Sequence, residues 1–199
     1  MGKKHRLSLQ GVQYTDIDLF KCKFLGKGHN GIVYLLPDNR VIKICYIMKD
    51  FHGEAHILNK VSGNKYFPRL YEVGGNYMIR DYVDGMTLKN YIKANGLSKE
   101  LALEIIEMLK EFERLQFTKI DIRCKDVYVQ PDGSLKIIDP QNFYSKSRDF
   151  PRHLSKGLYK LGVLKFFLEV LKEVSPKHFN RWSIRIRNYI AEKLLFDEL

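Results

Sequence analysis

From Phe20 to Leu25 the chain alternates polar and apolar residues with period two, passes through Gly26-Lys27-Gly28-His29-Asn30-Gly31, and resumes as Ile32-Val33-Tyr34-Leu35-Leu36. Both runs predict strands, which puts the glycines at the tip of a hairpin. Beyond the turn Pro37-Asp38-Asn39, a third strand is predicted from Arg40 to Tyr46, with Lys43 in its middle. Helical spacing follows: Ala55, Ile57, Leu58 and Val61 predict a short helix carrying Glu54, with Asp50 as N-cap and Ser62-Gly63-Asn64 as its stop. Pro68 to Val73 and Tyr77 to Val83 predict two further strands on either side of Gly74-Gly75-Asn76.

The second half of the chain turns mainly helical. Met86 to Ala94 predicts a short helix, and Ser98 opens a longer one to about Leu115 whose apolar face is Leu101, Leu103, Ile105, Ile106, Leu109 and Phe112. Period two returns at Asp126 to Gln130. Pro131-Asp132-Gly133 marks a turn, and Leu135 to Ile138 leads back to Asp139. This hairpin is expected to gather three carboxylates, Asp121, Asp126 and Asp139, in the manner of a site that handles metal and phosphate. A single apolar helix is predicted from Leu154 to Val174. In the last segment, from Pro176, the apolar residues Trp182, Ile184, Ile186, Tyr189 and Ile190 are expected to face the core, with Arg181, Arg185 and Arg187 solvated or binding anions.

With 199 residues, 45% of them hydrophobic, the chain can bury a sizeable core as one domain or two small lobes. Its formal charge of +11 points to acidic partners such as phosphates, nucleic acid or an anionic surface. Cys22, Cys45 and Cys124 form neither a CxxC pattern nor a Cys/His cluster, which argues against a disulfide framework or a zinc site. Cys124 is expected to be a packed thiol and His29 an exposed loop residue. No signal peptide is visible in the basic leader, and Gly162 to Leu171, the longest apolar stretch, is broken by Lys165 and Glu169 and too short to span a bilayer. These features fit a reducing cytoplasm.

The order of parts resembles the protein-kinase-like fold over roughly Phe20 to Gly162. Gly26, Gly28 and Gly31, followed by Val33, are similar to the glycine-rich loop over ATP, where backbone N–H groups approach the phosphates. Val41-Ile42-Lys43 resembles the strand whose lysine contacts the α and β phosphates, and Glu54 the helix glutamate that pairs with it. Tyr77 to Gly85 resembles the hinge, which implies backbone contacts from Asp81 and Val83 to the adenine edge. Asp121 falls at the place of the aspartate that accepts the acceptor's hydroxyl proton, and Arg123 at that of a lysine near the γ-phosphate. Asp126 and Asp139 occupy the metal-binding positions. The resemblance therefore implies ATP and Mg²⁺ as cofactors and an α+β, two-lobed architecture. Residues 1–83 would form a five-stranded antiparallel N-lobe with one helix, and residues 84–199 a reduced, mainly helical C-lobe.

The chain also departs from that family's pattern. Lys119-Ile120 precedes Asp121 where the family has histidine and arginine, Asp126 replaces the loop asparagine, and Asp139-Pro140-Gln141 replaces Asp-Phe-Gly. Arg80 stands at the usually apolar position behind the adenine. No Ala-Pro-Glu triplet occurs, and 60 residues remain after Asp139. The abbreviated C-terminal part is most similar to small bacterial and atypical serine/threonine kinases. The activity this implies is transfer of the γ-phosphate of ATP to a hydroxyl, with a protein Ser/Thr as the favoured acceptor. A sugar, lipid or other small acceptor, or a nucleotide-binding pseudokinase, are the alternatives.

Overall fold

The structure is a computed structural model that describes residues 17–140, 142–144 and 146–197; the basic leader and Gln141 lie outside the described residues. The fold is α+β. Its main sheet is antiparallel, with strands β1 (Lys23–Lys27), β2 (Gly31–Leu35), β3 (Arg40–Cys45), β4 (Leu70–Gly74) and β5 (Tyr77–Asp81) in the order β1-β2-β3-β5-β4. Phe20 and Lys21, read from sequence as the start of the first strand, belong instead to a 3₁₀ turn, Leu19–Lys21, capped by Asp18.

Period two divides the central strands between two environments. Ile42 and Ile44 of β3 join Leu36, Tyr77 and Ile79 in a small cluster on one face of the sheet. Cys45 and Met78 point to the other face, into the main core. Lys43 and Arg80 share that inner face, because Lys43 lies opposite Met78 and Val41 opposite Arg80 in the β3–β5 register. The helix after β3, α1 (Met48–Lys60), buries Phe51, Glu54, Ala55, Ile57 and Leu58. Asp50 is not its N-cap. The N-cap position is Ile47, three residues earlier, and Asp50 sits in the first turn, where a carboxylate complements the helix dipole.

A short strand, β6 (Met86–Thr87), stands where the sequence predicted helix, and Thr87 caps α2 (Leu88–Asn95) by accepting a hydrogen bond from the Asn90 N–H. As predicted, Ser98 caps α3 (Lys99–Arg114). The hairpin β7 (Val127–Val129) and β8 (Leu135–Ile137) forms as predicted and gains β6 as a third strand. The single helix expected over 154–174 is two, α4 (Arg152–Lys160) and α5 (Leu164–Val174). Gly162 separates them at φ 75°, with its N–H bonded to Tyr159 O and the Val163 N–H to Leu158 O, a Schellman stop. The final helix, α6 (Pro176–Asp197), begins on its proline and buries Trp182, Ile186 and Ile190. Ile184 is exposed, while Arg181 and Arg185 are paired with Glu113 and Asp149.

One continuous core joins α1 to the helical half. Its centre is aromatic. The Phe117 and Phe143 rings stack with centroids 4.7 Å apart, and Phe112 and Phe67 close around them. This cluster pins both ends of the carboxylate stretch, since Phe117 precedes Asp121 and Phe143 follows Asp139. Among the described residues no helix is long and apolar enough to cross a membrane. Phe143→Ala should lower the unfolding free energy by about 3 to 5 kcal/mol, the usual range for emptying a buried aromatic site, and chemical denaturation of the variant against the parent checks it.

Candidate active site

Three separate segments meet at the Lys43 ammonium. Its Nζ lies 2.5 Å from Glu54 Oε2 on α1 and 2.6 Å from Asp139 Oδ1, 96 residues further along the chain. Glu54 Oε1 faces Arg80 Nε at 4.0 Å, so charges alternate in a chain Asp139–Lys43–Glu54–Arg80. Three of the four are enclosed, with Glu54 1%, Lys43 3% and Arg80 5% exposed. Burial opposes the charge on Lys43, but the Glu54 and Asp139 carboxylates outweigh it and hold the ammonium above its ordinary pKa. Burial likewise pushes the Glu54 carboxyl up, against the pull of Lys43. Asp139 itself adopts φ 51°, in the left-handed region that Asp tolerates better than most residues.

Two cavities flank this chain of charges. On one side is a slot of about 300 Å³ lined by Leu25, Gly26, Val33, Val41, Arg80, Tyr82, Val83, Gly85, Tyr128 and Ile138. Its lining is more apolar than polar. Val83 is buried, and neither its N–H nor its C=O has a protein hydrogen bond among the described residues, which leaves an unpaired backbone donor and acceptor at the slot's edge. Asp81, also expected at this edge, does not line the slot: its side chain accepts from the Arg69 N–H and the Tyr71 hydroxyl, its own N–H donates to Arg69 O and its C=O accepts from Arg80 Nη1.

On the other side is a polar cavity of about 260 Å³ lined by Lys119, Asp121, Ile122, Arg123, Asp126, Asp139, Asn142, Phe143, Lys146, Arg148, Arg152 and His153. Its far wall is the segment after Asp139, fastened to the near wall by Lys119 N–H to Phe143 O, Ile120 N–H to Arg148 O and Arg148 N–H to Thr118 O. The hairpin sets Asp126 beside Asp139, because the Ile138 N–H donates to Asp126 O at 3.0 Å. Burial raises the Asp126 carboxyl above its ordinary value and Asp139 adds to the effect, against Lys125 and Arg123. Among the described residues no three His, Cys, Asp or Glu side chains stand close enough to hold a metal ion by themselves. Two carboxylates in one polar cavity do suit Mg²⁺, which commonly takes one or two protein carboxylates and completes its shell with phosphate oxygens and water.

The third carboxylate is held differently. Asp121 is fully buried, and its two oxygens are occupied by His153: Oδ1 accepts from the backbone N–H at 2.8 Å and Oδ2 lies 2.5 Å from Nδ1. Arg152 Nε stands 3.7 Å from Oδ2. Both partners lie in the first turn of α4, and no local pattern in the sequence couples them to a residue more than thirty positions earlier. The polar residues just before Leu154 were the available signal. Of the residues singled out from sequence, Lys43, Glu54 and Asp139 are in contact, Asp121, Arg123, Asp126 and Asp139 share the polar cavity, and Gly26, Val33 and Val83 line the slot. Gly28 and Gly31 line neither. A Cβ on Gly31 would sit 2.2 Å from Ile44 O, a constraint of strand packing, whereas one on Gly26 or Gly28 would meet nothing. Cys124 is a packed thiol, its pKa pushed up to about 12 by burial, and His29 is exposed.

The chain is similar to proteins named as kinases. It is 23% identical over 175 residues to the protein named "Putative serine/threonine-protein kinase YrzF" of Bacillus subtilis (strain 168), an alignment that covers 78% of this chain and 81% of that protein. It is 35% identical over 68 residues to the serine/threonine-protein kinase PrkC of the same organism, 32% of this chain and 10% of that one. No family model matches the chain. The names of these distant relatives support a kinase-like function.

Asp126→Asn should raise the melting temperature at neutral pH without metal. A carboxyl raised by burial disfavours the fold once ionised, so the variant's advantage should fade as the pH falls and vanish below the ordinary value of 3.8. Thermal melts from pH 3 to 8 check this. Gly31→Ala should destabilise the sheet and Gly28→Ala should leave the melting temperature unchanged, which the same melts measure.

Proposed function

We propose that this chain is a Mg²⁺-dependent phosphotransferase of small, two-lobed kinase type, moving the γ-phosphate of a purine nucleoside triphosphate onto a hydroxyl. ATP is the donor implied by the resemblance, and a Ser or Thr of a protein is the favoured acceptor. The observation that carries this reading is the Lys43 ammonium held between Glu54 and Asp139, in a chain of charges whose two ends, Arg80 and Asp139, line the slot and the polar cavity. Residues up to Val83 would form the nucleotide-binding lobe and those from Asp84 the reduced second lobe.

In this reading the base enters the slot and Val83 offers its unpaired backbone groups to the base edge. Lys43 contacts the phosphates, and Glu54 keeps the ammonium from collapsing fully onto Asp139. At about 4 Å and an effective dielectric near 20, each such charge pair is worth about 4 kcal/mol, enough to orient a flexible triphosphate. Asp126 and Asp139 would hold Mg²⁺, which neutralises charge on the transferring phosphoryl group. Arg123 would add positive charge on the same side. Asp121 would take the acceptor's proton, with the His153 ring swinging off Oδ2 as the acceptor enters. A second reading, a small anionic acceptor, is favoured by the five cations Lys119, Arg123, Lys146, Arg148 and Arg152 around the polar cavity.

Millimolar purine nucleoside triphosphate with Mg²⁺ should raise the melting temperature, and Lys43→Met and Asp139→Asn should each abolish that shift. No shift with either ATP or GTP sinks the reading. Asp121→Asn should keep the shift and lower phosphoryl transfer by about 10² to 10⁴-fold, measured with γ-labelled nucleotide. Stabilisation without any transfer would leave a nucleotide-binding protein and remove the enzyme.

A further inference from the structure

Arg80 is placed by register, not by chance. In β5 it follows Tyr77, Met78 and Ile79, and opposite Val41 it must share the inner face of the sheet, where it forms the back of the slot. A guanidinium carries five N–H donors and no acceptor. Here Nη1 donates to Asp81 O at 3.1 Å, while Nε is buried without a hydrogen-bond partner, 4.0 Å from Glu54 Oε1. A guanidinium only 5% exposed on the wall of the slot favours an occupant that turns an acceptor towards it.

The two common purines differ at that end of the base. Adenine carries an amino donor on C6 and guanine the acceptor O6, each beside the acceptor N7 that both share. The backbone carbonyl that could have received an adenine amino group, Asp81 O, is already engaged by Arg80. An adenine pushed to the back of the slot would therefore set donor against donor, and next to a positive charge. A 6-oxopurine would place an acceptor against the guanidinium, the pairing by which arginine recognises guanine elsewhere.

We infer that the slot takes a 6-oxopurine nucleotide, GTP, in preference to ATP, with Arg80 as the residue that sets the preference. This rests on the phosphotransferase reading, because it requires the slot to be the base site. Arg80 is also the second counter-ion of Glu54, and at 4.0 Å that pairing leaves Nε and the facing Glu54 Oε1 without a hydrogen bond.

Titrating the full chain with ATP, GTP and inosine triphosphate at one fixed Mg²⁺ concentration, by calorimetry, tests the inference. The inosine nucleotide keeps O6 and lacks the 2-amino group, so it isolates the contact to Arg80. GTP and inosine triphosphate should each bind at least about tenfold more tightly than ATP, the low end of what one good arginine–guanine pair discriminates. Arg80→Leu should reduce that ratio to near one, and a thermal melt shows whether the variant is folded. ATP binding as tightly as both 6-oxo nucleotides in the parent protein would overturn the inference and leave the phosphotransferase reading standing. Binding of none of the three would overturn both.

Discussion

The ion pairs of Lys43 are what the rest of the structure depends on. An ammonium that is 3% exposed is tolerable only with carboxylates against it, and Glu54 and Asp139 supply them from a helix and from the end of a hairpin. Removing one partner of such a buried set typically costs about 3 to 5 kcal/mol, because the charge left behind has nowhere to go. The pairs therefore do more than hold a side chain. They fasten β3 to α1 and the sheet to the β7–β8 hairpin, between the slot that Arg80 lines and the polar cavity that Asp139 lines.

Two further features mark this centre. The alternating chain of charges extends one step beyond what the lysine needs, to Arg80, which turns the apolar back of the slot into a cationic one. And Asp121, buried and wrapped by the first turn of α4, is withdrawn behind His153 while Asp126 and Asp139 remain open to the cavity. Both arise from packing between distant parts of the chain. The β3–β5 register aims Arg80 inward, and the aromatic stack of Phe117 on Phe143 holds the segment leading to α4 as a wall of the polar cavity.

Much of the local architecture was legible. The five strands of the main sheet, the hairpin that carries Asp126 and Asp139, and the Ser98 cap all follow from period two, turn residues and capping chemistry, which act over a few residues. The misreadings were local as well. Gly162 sat in plain view inside a run of apolar residues, and its left-handed conformation splits one expected helix into two. Met86-Thr87 became a strand because β7 had an open edge to pair with, a fact about tertiary neighbours that overrides helical spacing in so short a segment.

By itself the sequence determined which residue types could do chemistry and on what elements they would lie: Lys43 mid-strand, Glu54 on a helix, Asp126 and Asp139 on either side of a hairpin, and glycines at a loop tip. Only the tertiary structure decided which of these touch. It joined Lys43 to Asp139 across 96 positions, gave Gly31 a packing role against Ile44, enclosed Asp121 with His153, and pointed Arg80 into the slot. The reason is one of range. Periodicity and capping are set by neighbours within a turn or a pleat, whereas the meeting of buried charges depends on where the core draws distant segments together.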